Sequence, residues 1–406
     1  MTHRINIHRL TQRLEDINQL GQLMGGGVSR PALSNEDKKA RDLLVSWAKI
    51  LGLTTHVDQI GNIFCVWKGK SDRIIGTGSH LDTVPTGGYY DGALGVLAGL
   101  EVIETLTEQH YQPNHTIVLA NFTNEEGTRF TPDMMGSLAF SKPDLLPDLL
   151  MASAVDDGST VLEELTRIGY LGNMKCGAWS FEKFVELHIE QGPVLENEAI
   201  DIGVVHGVQA IHWKRLTIKG KSAHAGTTPI GMRKDAFYAM GGLSTHVREL
   251  CKSIPGLLIT IGSIQIFPNV INVVPEKVIA TIDLRHPEDA LADQSLAALT
   301  EFIHNDESFR GLTTEWESLV DIGAVEFNSD IINAITKSCQ DLGYSNRKMI
   351  SGAGHDAQLL SSRFPSAMIF IPSRNGISHA IDEFSSTEQI EKGANVLLNT
   401  IVDLDA

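Results

Sequence analysis

Four cysteines among 406 residues, Cys65, Cys176, Cys251 and Cys339, stand far apart and form no Cys-x-x-Cys pair. That spacing fits a reduced compartment better than a disulfide framework. Long apolar runs are also missing: no window approaches the ~18 residues that a membrane span needs. The opening residues Met1-Thr2-His3-Arg4-Ile5-Asn6 carry no apolar stretch of the kind a secretory leader requires. A cytoplasmic protein is the expectation. The third scarcity is positive charge. With 33 Lys and Arg against 50 Asp and Glu, the formal net charge is -17. This argues against nucleic acid or an anionic membrane as partner, because both are bound by displacing counterions from a basic face. A small molecule is the expected partner.

What is present is ordinary globular material, 42% hydrophobic and 20% charged, in a chain too long for one hydrophobic core. Two domains are therefore expected. Ser34 with Asp37 marks a helix start, and Ala40, Leu43, Leu44, Trp47, Ala48 and Leu51 follow at helical spacing. Residues 62–67, 73–79 and 116–122 are short β-rich runs, and 92–106 is apolar enough for a buried crossover helix between the last two. Residues 185–190 alternate strictly, which puts Glu186, His188 and Glu190 on one face of a strand. This pattern is α/β with a mainly parallel sheet. From about residue 207 the order becomes β-α-β-β-α-β, over 213–218, 233–251, 257–266, 277–284, 289–304 and 312–319. That is the ferredoxin-like unit, which can be inserted whole into another domain. A helix at 331–342, a buried strand at 367–371 and a helix at 387–398 then return to the first architecture. The expected division is 1–206 and 321–406 for the main domain and 207–320 for the insert.

The chemistry sits at the ends of the apolar runs. His80 and Asp82, in Gly78-Ser79-His80-Leu81-Asp82-Thr83-Val84, lie on one face of a strand end, so Asp82 can reach the far side of the imidazole and strengthen it as a metal ligand. Asp91 opens a Gly-rich helix entry and can bridge two cations, as in paired-metal hydrolases, or simply cap the helix. Strand 116–122 delivers Glu125 and Glu126 to its C-terminal end, where α/β sheets place ligands. Two adjacent acids can divide the labour, one ligating metal and one taking a proton from water. Among 15 histidines, His80, His188 and His379 stand out by context, with His355 in Gly352-Ala353-Gly354-His355-Asp356 as a rival to His379. His224 lies in a loop of the insert, so its role must differ from that of a strand-end ligand. Arg285 closes a strand and offers a carboxylate a bidentate fork, with Asn272 as a neutral donor beside it.

With these residues assembled, the chain resembles the hydantoinase/carbamoylase amidases, which include N-carbamoyl-L-amino-acid hydrolases and allantoate amidohydrolases. These belong to the wider aminoacylase and carboxypeptidase group of dinuclear metallohydrolases. The likeness runs from about residue 58 to 388 and rests on Gly-Ser-His-Leu-Asp-Thr-Val, Asn-Glu-Glu-Gly-Thr-Arg-Phe, Glu-Leu-His-Ile-Glu-Gln-Gly-Pro-Val-Leu-Glu, His-Ala-Gly-Thr-Thr-Pro, Asn-Val-Val-Pro and Gly-Ala-Gly-His-Asp-Ala. It implies two divalent cations per subunit, one on His80, Asp91 and His188 and one on Asp91, Glu126 and His379. Mixed His and carboxylate donors suit zinc or manganese, with cobalt or nickel possible. Glu125 is then the general base, and Asp82, behind His80, is counted with it among the catalytic residues. Gln191, His224, Asn272, Arg285 and Gly354 are placed around the substrate. The insert becomes a lid and dimerisation domain, and His224 reaches across a homodimer into its partner's site.

The activity so implied is cleavage of the ureido bond of an N-carbamoyl-L-amino acid, a small carboxylate-bearing substrate. Allantoate and N-carbamoyl-β-alanine are the alternatives, and an aminoacylase or peptidase reaction is less favoured. A catalytically inert binding protein on this scaffold would have lost the base or a ligand, and none is lost here. One departure stands out: after His379 the chain reads Ala380-Ile381-Asp382-Glu383, which leaves the acidic residue expected there open to displacement.

Overall fold

The computed structural model describes residues 2–406. The chain divides into two compact units, one running up to Gly207 and resuming over Glu326–Ala406, the other Val208–Val325. Among the described residues no helix is long and apolar enough to cross a membrane.

The first unit is built on a nine-stranded sheet. At its centre Thr116–Phe122, Ile74–His80, Phe181–Ile189 and Ser366–Ile371 lie side by side, and all three contacts between them are parallel. The flanking pairs, Thr54–Val57 with Ile63–Trp67, Ile63–Trp67 with Thr116–Phe122, and Ser366–Ile371 with Ile202–Val208, are antiparallel. Parallel neighbours need a crossover, and Ala93–Glu108 supplies it between Ile74–His80 and Thr116–Phe122. This helix is buried from Ala93 to Ile103, as its all-round apolar sequence requires. Gly95 lets it lie close against the sheet, since a Cβ there would stand 2.4 Å from the Leu187 carbonyl oxygen. Because the central strands run one way, His80, the turn after Phe122, His188 and the loop after Ile371 all emerge at the same edge of the sheet.

The last helix, Thr387–Asp405, ends on a fully buried carboxylate. Asp405 accepts from the His115 N–H (2.6 Å), His115 Nδ1 (3.0 Å), the Asn114 N–H (2.9 Å) and the Tyr111 hydroxyl (2.7 Å). It thereby fixes the entry to the Thr116–Phe122 strand. Asp405→Ala leaves these donors without an acceptor and is expected to cost on the order of 3 kcal/mol. A lowered urea midpoint is the expected reading, and an unchanged midpoint would refute it.

The second unit is a four-stranded antiparallel sheet in the order Thr313–Ile322, Ala210–Lys219, Lys277–His286, Leu258–Phe267, with helices Ala236–Ser253 and Asp289–Asn305. Numbered along the chain, the strands lie 4-1-3-2, the ferredoxin-like order. Burial alternates strictly along Lys277–His286, and Val278, Ala280, Ile282 and Leu284 pack with Leu216, Met240, Leu243 and Leu299 into a core of its own. The unit closes later than residue 320. A bulge between Ser318 and Val320 breaks the two-residue alternation, so periodicity hides the continuation of this strand to Ile322. The chain re-enters the first unit beside the strand by which it left. Val325–Glu326 is a sheet neighbour of Ile202–Val208, and the Phe327 N–H donates to the His206 carbonyl (2.9 Å).

Candidate metal centre

Five side chains converge at the carboxyl edge of the parallel strands, all within the first unit. His80 Nε2 stands 3.6 Å and His188 Nε2 3.1 Å from Asp91 Oδ1. His379 Nε2 stands 3.3 Å from Asp91 Oδ2 and 3.2 Å from Glu126 Oε2. Two groups of donors result, His80–Asp91–His188 and Asp91–Glu126–His379, each with ligand atoms within 4.8 Å of one another, and Asp91 belongs to both. The helix entry at Gly92 makes this approach possible: its φ is 63°, and a Cβ there would meet the His80 ring at 2.4 Å.

The donor set fits divalent cations. His80 Nδ1 donates to the Asp82 carbonyl and His188 Nδ1 to the Ile189 carbonyl, both at 2.9 Å. A carbonyl only accepts, so each ring turns Nε2 toward Asp91, and the Gly92 N–H also points at His188 Nε2 (3.2 Å). A lone pair facing a carboxylate calls for positive charge between them. The acids around the rings also favour positive charge there. Burial opposes charging His80, yet Glu125, Asp91, Asp82 and Glu126 together hold it well above its usual value. Hydrogen bonds to Asp91 and Glu126 push His379 to about 11.

Glu125 lies beside the first of these groups, with Oε2 3.4 Å from His80 Nε2. Burial, opposed by His80, raises its carboxyl well above the ordinary range. The Glu125–Glu126 turn is held by Asp82, whose Oδ1 and Oδ2 accept the two backbone N–H groups at 3.2 Å each. This corrects the role expected for the Asp82 side chain. Its carboxylate is 3.8 Å from His80 Nδ1, and the backbone carbonyl makes that contact instead. The strand ends at His80, so the same-face argument does not extend to residue 82.

His355 does not join the centre. Its Nε2 faces Ser351 Oγ at 3.0 Å and its ring packs on His188, 4.5 Å between centroids. Glu186, His188 and His355 form a third group of potential donors, but both Glu186 oxygens are taken, by Ser79 Oγ (2.6 Å) and the Ala357 N–H (2.9 Å). Glu190 accepts the Val194 and Leu195 N–H groups and is structural. Gly354 packs against Met134, where a Cβ would meet Met134 Cε at 2.9 Å. Gln191 adopts φ 58° and donates from Nε2 to Asp91 Oδ2 at 2.9 Å, so it rests on the shared carboxylate itself.

The other expected substrate residues belong to the second unit. His224 pairs with Val273, and the Ala225 N–H donates to the Asn272 carbonyl (3.0 Å), which makes His224 and Asn272 neighbours. The Gly226 and Thr227 N–H groups both point at His224 Nδ1, at 3.0 and 3.2 Å, and so leave the ring proton on Nε2. The Arg285 fork is engaged side-on by Asp283: Nε lies 2.9 and 3.1 Å from its two oxygens, and Nη2 lies 2.9 Å from Oδ2. Asp283 was open to discovery in the sequence, since Asp-x-Arg on a strand shares one face.

A carboxylate shared by two histidine-bearing donor groups, set at the carboxyl edge of a parallel sheet with an acid beside it, defines a metal-dependent hydrolase. The chain belongs to the peptidase family M20/M25/M40, whose model matches residues 76–403, and within it to the hydantoinase/carbamoylase amidases. It is 36% identical over 403 residues to an N-carbamoyl-L-amino-acid amidohydrolase of Rhizobium meliloti, covering 98% of this chain and 97% of the relative. With an allantoate amidohydrolase of Escherichia coli (strain K12) it shares 33% identity, covering 96% of this chain and 95% of the relative. The crystal structure of a hydantoinase/carbamoylase family amidase from Burkholderia multivorans superposes with a TM-score of 0.92 at 40% identity, covering 98% of both chains. The protein is thus a hydrolase of carbon–nitrogen bonds other than peptide bonds.

Proposed function

We propose that this protein hydrolyses N-carbamoyl-L-amino acids to the free amino acid, ammonia and carbon dioxide. The observation that carries the chemistry is Asp91 shared between two donor groups with Glu125 alongside. The substrate class is supported by whole-length likeness to N-carbamoyl-L-amino-acid amidohydrolases. His80, Asp91 and His188 would hold one divalent cation and Asp91, Glu126 and His379 a second. Zinc or manganese fit these donors, with cobalt or nickel open. When bound, the cations supply Lewis acidity to water and to the ureido carbonyl. Glu125 takes the proton of the attacking water and returns it to the departing nitrogen, a duty suited to a carboxyl held above its ordinary range. His224, with its proton on Nε2, donates to the developing oxyanion, reaching the site from the second unit of a partner subunit in a homodimer. Gln191, Asn272 and Gly354 border the substrate.

Arg285 anchors the substrate carboxylate. Removing a charge-assisted contact leaves that carboxylate desolvated, so Arg285→Ala is expected to lower kcat/KM roughly thirty-fold or more. Lys restores charge but no planar fork and rescues in part. A carboxamide substrate is the control, on which the substitution should cost little further. Equal harm to both substrates would show that Arg285 serves the fold.

Allantoate is the second reading, favoured by whole-length likeness to allantoate amidohydrolases. Chelated protein restored with manganese or zinc, assayed for ammonia on N-carbamoyl amino acids, N-carbamoyl-β-alanine and allantoate, separates these readings. Activity on peptides or N-acyl amino acids without ammonia release would overturn the ureido reading.

A further inference from the structure

We infer that Glu383 is a positioning residue that fastens the Asp91 turn to the His379 loop and thereby sets the affinity of the cation site formed by Asp91, Glu126 and His379. The inference rests on the paired-cation reading above. Glu383 belongs to neither donor group, yet it is buried, 3% exposed, immediately behind them. Its Oε1 accepts the backbone N–H groups of Tyr90 (3.0 Å) and Asp91 (3.1 Å). Its Oε2 accepts the Ser378 hydroxyl (2.8 Å), and that same oxygen of Ser378 stands 3.1 Å from Asp91 Oδ2. One carboxylate therefore holds the peptide of the shared ligand on one side and the residue preceding His379 on the other.

Space has been left for this contact. A Cβ at Gly88 would fall 2.3 Å from both the Cβ and Oε1 of Glu383. Only a residue without a side chain at 88 lets the carboxylate reach the Asp91 turn. The segment after His379 thus delivers an acid to the back of the centre, as a clasp on backbone and hydroxyl groups and not as a ligand.

The two donor groups depend on this clasp unequally. His80 and His188 sit on central strands of the sheet, where ladder hydrogen bonds hold their backbone. His379 lies in an irregular loop at φ 54°, with its side chain 51% exposed. Asp91 itself is also steadied by Gln191 Nε2 and by its own helix entry. Losing Glu383 therefore releases His379 more than the buried histidine pair. The loop around it keeps other ties, from the Arg374 N–H to the Phe384 carbonyl (2.9 Å) and from Ser385 Oγ to the Pro372 carbonyl (2.7 Å), so an Ala variant is expected to fold.

The test is calorimetric titration of the full-length, chelator-stripped protein with manganese or zinc alone, with metal content measured after desalting. Wild type should take up two equivalents. Glu383→Ala should keep one at near wild-type affinity and bind the other roughly ten- to a hundred-fold more weakly, the range seen when a partner of a metal ligand is removed. Glu383→Gln, whose amide oxygen still accepts both backbone N–H groups, should stay near wild type, and Gly88→Ala should behave like Glu383→Ala. If Glu383→Ala weakens both cations equally or neither, or if Gln is as damaging as Ala, the inference is wrong. A wild type that takes up a single cation would instead bring down the paired-cation reading, and this inference with it.

Discussion

Glu125→Gln is expected to retain its cations and lose turnover by roughly two to four orders of magnitude, the range for removing a general acid–base group. The amide keeps the shape of a side chain packed beside His80 and leaves the Asp82 contact untouched, because that contact is made by the Glu125 backbone N–H. What disappears is the capacity to take a proton from water and return it to nitrogen. Metal content and ammonia release should therefore part company. Near-normal activity would remove Glu125 from the reaction, and loss of cations would make it a ligand in its own right.

His224→Ala is expected to fold, bind cations normally and lose about 10²- to 10³-fold in kcat, the cost of one oxyanion donor. The side chain is exposed, and its contacts run to the backbone of its own loop, so its removal disturbs little else. Mixing this variant with Glu125→Gln gives the sharper result. If each site combines Glu125 of one subunit with His224 of the other, heterodimers contain one site with both residues intact, and activity should reappear on subunit exchange. Demonstrated exchange without recovery would confine His224 to its own subunit's chemistry.

Much of the centre was legible because its ligands lie where regular structure ends. His80 and His188 follow from β-rich runs, and Glu125 and Glu126 from the turn after a strand whose residues are all buried. Parallel neighbours then bring those ends to one edge without further information. Legibility failed where the chain leaves its regular period. The Asp82 carboxylate could not be aimed, since periodicity stops at His80. The bulge at Ser318–Val320 concealed the close of the second unit. Glu383, which clasps two loops distant in sequence, is set by side-chain contacts that composition and spacing do not encode, whereas Asp283 shares a strand face with Arg285 and was readable from their spacing.

The paired strands Ile202–Val208 and Val325–Glu326 have a bearing on ancestry and engineering. The points at which the 208–325 segment departs and returns are hydrogen-bonded neighbours, and that segment carries its own core. A genetic event that removed its coding sequence would need only a tight turn to rejoin the open ends, and one that replaced it would meet a ready socket. A segment with its own core and adjacent ends can therefore be exchanged while the unit that carries Asp91 and its neighbouring donors is inherited unchanged. A laboratory chimera that swaps residues 208–325 between two relatives uses the same seam.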